Sequence, residues 1–129
     1  MPGVEEMLAV LKRQNIRRGV ISNLSWSGQA LRERINRLLP EHQFEFILTS
    51  SEYMVRKPNP YLFELALRKA GLSPEEVWYC GDNVENDVMG AHGAGIFPVW
   101  YNHAGKTVEL NFPHLEITDW SEMIQMLET

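Results

Sequence analysis

Two carboxylates a turn apart, Asp82 and Asp87, follow directly on an apolar run that ends in glycine, Val77-Trp78-Tyr79-Cys80-Gly81. The run predicts a buried strand, and the glycine lets the backbone turn sharply at its end. Acids at the carboxyl end of a strand in an α/β sheet stand where such folds bind their ligands. With little cationic compensation nearby in the sequence, the pair suits a hard, oxygen-preferring ion such as Mg²⁺. Aspartate occurs at only three positions, 82, 87 and 119, which limits the chemistry open to these residues.

Two further polar signals fall at comparable places. Ser22-Asn23 closes the apolar stretch Val20-Ile21, and Lys57-Pro58 precedes the helix start Asn59-Pro60. Strand exits of a parallel sheet lie on one edge, so a hydroxyl, an ammonium and two carboxylates distant in sequence can converge there. Such a set grips a phosphoryl group and its metal: hydroxyl and backbone N–H donate to phosphate oxygens, and lysine neutralises developing charge. Pro58 disfavours the helical region for Lys57 and keeps it on the loop. Taken singly, Ser22 reads as a turn hydroxyl, Lys57 as a solvated cation, and Asp82 with Asp87 as a loop turn with a helix cap. Asn23 and Asn83 shape the loops or satisfy turn backbone. Trp26 and Tyr53 read as packing over the sheet edge, Arg56 as a solvated charge and Cys80 as a core thiol. The histidines at 42, 92, 103 and 114 show no ligand spacing and receive no role.

The elements that must hold these groups follow from periodicity. Met7, Leu8, Leu11 and Ile16 predict an amphipathic helix over about residues 3–14. A short strand over residues 18–22 leads into a polar turn to Gly28, and a helix carrying Leu31, Ile35, Leu38 and Leu39 stops at Pro40. A strand over 44–48 precedes a polar loop to Asn59. Asn59-Pro60 opens a helix that ends at Gly71, with a cap side chain, proline in the first turn and glycine at the stop. A helix over about 86–94 carries small residues, Gly90, Ala91 and Ala94, suited to close packing. The strand over 95–100 contains Pro98, which is better tolerated near an edge. Residues 102–114 predict a loop, and Asp119 with Glu122 predicts a capping box for the last helix. The alternation of strand and helix implies a parallel sheet covered on both faces.

A chain of 129 residues makes one domain that buries most of its apolar surface. A net charge of −5 lacks the basic face that a nucleic acid or an anionic membrane would call for. No apolar run approaches the roughly 20 residues of a membrane span, and the acidic start has no signal-peptide core. The single cysteine, Cys80, excludes an internal disulfide and fits a reducing cytoplasm.

The motifs Gly-Val-Ile-Ser-Asn (19–23), Arg-Lys-Pro-Asn-Pro (56–60) and Gly-Asp-Asn-Val-Glu-Asn-Asp (81–87), in that order, resemble the second, third and fourth motifs of the haloacid dehalogenase-like (HAD) hydrolases. Each is weak alone; the ordered set, over nearly the whole chain, is specific. The resemblance implies a HAD-type Rossmann-like α/β fold and Mg²⁺-dependent hydrolysis of a small phosphorylated metabolite through an aspartyl-phosphate. By it, Ser22 and Asn23 bind the phosphoryl group, Lys57 pairs with nucleophile and phosphate, Asp82 ligates Mg²⁺ and Asp87 completes or supports the metal site. Both acids argue against dehalogenation, because dehalogenases of the family do without Mg²⁺.

One departure stands out: the family's first motif, Asp-x-Asp at the end of the central strand, is absent, since Asp119 lies in Thr118-Asp119-Trp120 with no second acid. Residues 1–129 therefore resemble a single, partial HAD core domain without its first strand and cap. The expectation is a chain inactive on its own, either the C-terminal part of a phosphatase or, as an alternative, a non-catalytic phosphate-binding or protein-interaction module. The family strand order leaves a gap between the strands ending at Ser22 and Cys80. Direct pairing of those strands, a complementing segment or a second copy of the chain is expected to close it, because open central edges are sticky.

Overall fold

The apolar stripe near the start forms α1 (Val4–Arg13), which turns Met7, Leu8 and Val10 inward. A computed structural model describes residues 3–23, 28–53 and 56–128. Trp26, read above as packing over the sheet edge, lies outside the described residues. The elements after α1 are β1 (Val20–Ser22), α2 (Gly28–Leu38), β2 (Ile47–Thr49), α3 (Ser50–Tyr53) and α4 (Pro60–Ala70). There follow β3 (Trp78–Gly81), a wide π-helical turn over Val84–Met89, α5 (Gly90–Gly93), β4 (Phe97–Tyr101), β5 (Leu115–Ile117) and α6 (Trp120–Glu128).

All strand pairs are parallel, as the strand–helix alternation predicts. They form two sheets, β1-β2 and β3-β4-β5. In the first, Val20, Ile21 and Ser22 face Ile47, Leu48 and Thr49. In the second, Cys80 lies opposite Val99 and Gly81 opposite Trp100. Among the described residues β1 and β3 do not pair, so the direct closure entertained above does not occur. Side chains bridge the two sheets instead.

Alternation along β3 and β4 sends successive side chains to opposite faces. On one face Met7 of α1 and Met123 of α6 pack with Val99, Tyr101 and Ile117, and Cys80 joins them. On the other, Leu62 and Phe63 of α4 pack with Ile21, Ala91 and Ile96, and Tyr79 joins them. Leu62 and Phe63 are fully buried, each burial stabilising the fold by about 1.5–3 kcal/mol. The signals at the ends of α4 act as expected. The Asn59 side chain accepts the Tyr61 N–H at 2.9 Å, and Gly71 turns left-handed with φ 69°.

Several boundaries shift for physical reasons. Regular strand pairing at β2 begins only at Ile47, although Glu45 N–H already bonds Arg18 O and Val20 N–H bonds Phe46 O. The Phe46 ring lies against Gly19, where a Cβ would come within 2.5 Å of it. The polar loop expected before Asn59 contains the single turn α3. The helix expected from residue 86 begins at Val84 and is wound wide through Met89 before α5. Pro98 sits in the middle strand, not near an edge; pairing with β5 starts only at Val99, so the missing N–H falls ahead of that ladder. β5, only three residues long, is too short for its alternation to stand out within the expected loop. Asp119 caps α6 as expected, accepting the Ser121 N–H, while Glu122 reaches one residue beyond the cap and accepts the Thr118 N–H.

Candidate active site at the strand exits

Lys57 is the centre of the site because three elements fix it. The Asn23 side chain, just past β1, clamps its backbone: Asn23 Oδ1 accepts Lys57 N–H at 2.9 Å, and Asn23 Nδ2 donates to Lys57 O at 3.2 Å. A cis bond joins Lys57 to Pro58, and the side chain turns inward and is 8% exposed. Its ammonium lies 2.5 Å from Asp87 Oδ1, 2.9 Å from the Tyr79 hydroxyl and 3.2 Å from Ile21 O. One cation thus joins the end of β1 to β3 and to the turn that follows it. A buried ammonium needs this matching, because an unpaired one is strongly disfavoured.

Asp87 is equally buried and has both oxygens engaged. Oδ1 takes Lys57, and Oδ2 accepts the Asn83 N–H at 3.1 Å. Asn83 in turn accepts the Asn86 N–H at 2.8 Å, so residues 83–87 wrap around the carboxylate. Gly81 makes room for this: a Cβ there would lie 2.3 Å from Asp87 Cβ. The glycine serves close approach as much as the turn.

Asp82 differs in every respect. It follows β3 directly, its carboxylate is 53% exposed, and the contact it makes is His103 Nε2 at 3.4 Å. A half-solvated carboxylate at a strand exit is a ready oxygen ligand for Mg²⁺. The residues present fit that ion through Asp82, with Asp87 supporting the turn rather than offering a free oxygen. Among the described residues no three His, Cys, Asp or Glu side chains gather as a metal cluster. Ser22 ends β1 half-buried, next in sequence to the carbonyl that receives Lys57, and its hydroxyl has no bond partner among the described residues.

The structure therefore brings Ser22, Asn23, Lys57 and Asp87 into one connected region, with Asp82 at its outer side. Arg56 is exposed, and Tyr53 packs on the Ile21 cluster beside Tyr61. Burial pushes the Cys80 thiol up to about 12, as a core thiol should be. Two residues escaped the sequence reading. Tyr79 carried a signal, since a phenol inside a buried run must find a polar partner. His103 did as well, for it follows the exit of β4. Asn102, buried, pins its loop: its Nδ2 donates to Lys106 O at 2.7 Å and to Glu116 Oε2 at 3.0 Å.

The family described as haloacid dehalogenase-like hydrolase matches residues 1–101. The chain belongs to the haloacid dehalogenase-like hydrolases. This HAD chain is similar to the glyceraldehyde 3-phosphate phosphatase of Pyrococcus furiosus, 33% identical over 99% of the chain and 53% of that protein. It is also similar to the phosphoserine phosphatase of Thermus thermophilus, 36% identical over 77% of the chain and 39% of that protein. Among solved structures, the 2-haloacid dehalogenase of Pseudomonas syringae pv. Tomato DC3000 superposes with a TM-score of 0.84 at 29% identity, covering 99% of the chain and 53% of that protein. The HAD chain thus spans about half or less of the length of the curated relatives it matches. No helix among the described residues is long and apolar enough to cross a membrane.

Proposed function

We propose that this chain supplies the phosphate- and metal-holding part of a HAD phosphatase acting on a small phosphorylated metabolite, and that it lacks the nucleophile. The observation that carries the reading is the buried Lys57 ammonium at the exit of β1, bonded to the carbonyl next in sequence to Ser22, whose hydroxyl has no partner among the described residues, and to the turn that presents Asp82. In this arrangement the Ser22 O–H donates to a phosphoryl oxygen, and Lys57 neutralises its charge in a site of low dielectric. Asp82 holds Mg²⁺ through its exposed carboxylate, with Asp87 fixing the loop. The ion, when bound, offsets charge on the phosphoryl oxygens. The relatives named as phosphatases support phosphate chemistry over dehalogenation.

The covalent step needs a carboxylate to attack phosphorus while the ester oxygen leaves with a proton, followed by hydrolysis of the acyl phosphate. None of the three aspartates of the chain is free for it: Asp87 is tied to Lys57, Asp119 caps α6 and Asp82 is the metal ligand. We therefore propose that a strand bearing Asp-x-Asp at its exit, from outside these 129 residues, lies between β1 and β3, which do not pair with each other among the described residues. The single cysteine suits a reducing compartment for the assembled enzyme.

The test is turnover of p-nitrophenyl phosphate with Mg²⁺ by the purified 129-residue chain. The expected result is no release above background. Release that Asp82→Asn abolishes would overturn the assignment of a missing nucleophile.

A further inference from the structure

A cleft of about 430 Å³ lies at the amino ends of β1 and β2, the rim opposite Lys57, and Lys12, Arg17, Arg18, Gln43 and Glu45 line it. That volume falls within the range of small-molecule sites, roughly 300–1,000 Å³. Arg18 and Ser22 stand at the two ends of this stretch of chain, about 13 Å apart at roughly 3.3 Å per residue. One small ion cannot touch both rims. Three cations against one carboxylate leave the cleft at +2, in a chain whose net charge is −5.

The cations are held in place but not saturated. A guanidinium has five N–H donors. Arg18 uses three: Nε on His42 O and Nη1 on Ile16 O, each at 2.9 Å, and Nη2 on Gln43 Oε1 at 3.1 Å. Arg17 also uses three: Nε and Nη2 on the Glu45 carboxylate at 2.7 Å, and Nη2 on Ala70 O at 2.8 Å. Two N–H groups of each guanidinium, and the exposed Lys12 ammonium, are left without a bond partner among the described residues. The bonds already made fix both arginine planes before a ligand arrives, which lowers the ordering cost of binding. Gln43 is a second sign. Its backbone is left-handed, φ 55°, a conformation uncommon for a non-glycine residue and one that recurs at ligand clamps.

We propose that this cleft binds a small molecule carrying two anionic groups, phosphoryl or carboxylate, with the free N–H groups of Arg17 and Arg18 and the Lys12 ammonium as its donors. Two such groups match the excess charge and the pair of guanidinium planes, each of which can hold one oxyanion. The site stands apart from the grip built on Ser22 and Lys57 and does not depend on it.

The test is a ¹H–¹⁵N NMR titration of the whole chain at constant ionic strength, with pyrophosphate and, separately, with succinate. Saturating shifts of the Ile16, Arg18 and Gln43 amides are expected with at least one of them, and the tighter ligand names the anionic group. Orthophosphate and acetate, with one anionic group each, are expected to bind this rim more weakly. Lys12→Glu, at an exposed residue whose side chain makes no bond, is expected to weaken binding at least about tenfold, the scale of a charge reversal a few ångströms from a bound anion. Lys12→Gln is expected to cost less and serves should the reversal disturb the fold. Absence of saturation with both ligands overturns the proposal. So do shifts confined to Ser22, Asn23 and Lys57, one-group anions that bind as tightly as two-group ones, and an affinity that the Lys12 variants leave unchanged.

Discussion

The ammonium of Lys57 lies 2.5 Å from Asp87 Oδ1, and each side chain is 8% exposed. A pair this deep is retained because breaking it strands a charge, not because it adds much over an apolar pair. Lys57→Met should therefore lower unfolding stability by about 3–5 kcal/mol. Adding Asp87→Asn removes the stranded charge and should recover a large part of that loss. Urea titrations of the two variants check this, and equal stabilities would refute it.

Gly81 and Asp87 make a second dependence. A methyl group at position 81 would meet the Asp87 side chain at 2.3–2.4 Å, so Gly81→Ala must push the carboxylate away from Lys57. The expected cost is about 1–3 kcal/mol, the scale of overpacking. Gly93, with nothing near its virtual Cβ, lies in a helix where alanine is the better former. Gly93→Ala should leave stability unchanged or slightly raised, which thermal melts of the pair would show.

Cys80 sets an alkaline limit. Its thiol is raised from 9.0 to about 12 by burial, so the unfolded chain ionises first as pH rises. The contribution is fully present below pH 9.0 and is lost progressively between there and about 12. Tyr79, also raised by burial, adds loss at higher pH. Cys80→Ala should flatten the decline in Tm above pH 9, and the native thiol should react with a disulfide reagent at pH 8 far more slowly than the unfolded one.

The two sheets should open separately. Among the described residues β1 pairs with β2 alone, over three residues, whereas β4 is flanked on both sides. A two-stranded ladder is marginal alone, so amides of Val20–Ser22 should exchange at lower free energy than those of Val99–Tyr101. Hydrogen exchange read by NMR decides it; equal protection would mean that the sheets behave as one.

Much of this was legible in the sequence because the signals were local. Asn59, Pro60 and Gly71 bounded α4 by chemistry that operates within one turn. The convergence of Lys57 and Asp87 beside the exit of β1 was legible in their order at successive strand and loop ends, since parallel topology gathers such ends. Non-local packing hid the rest. Asp87 loses its freedom to ligate only because Lys57 and the Asn83 N–H both reach it, a fact no spacing encodes. Pro98 was assigned near an edge from propensity, yet a ladder that starts one residue later lets it sit in the middle strand. His103 comes to Asp82 from a loop that Asn102 pins to Lys106 O, a contact 21 residues apart in sequence.

The central claim is that an anion and a cation are held together at one rim of this fold, by Lys57 and by Asp82. Titration of orthophosphate with and without Mg²⁺ tests it most directly. Coupled sites predict that Mg²⁺ tightens phosphate binding, that Asp82→Asn abolishes this gain while sparing metal-free binding, and that Lys57→Met weakens both. Phosphate binding indifferent to Mg²⁺, or a gain that survives Asp82→Asn, would contradict it.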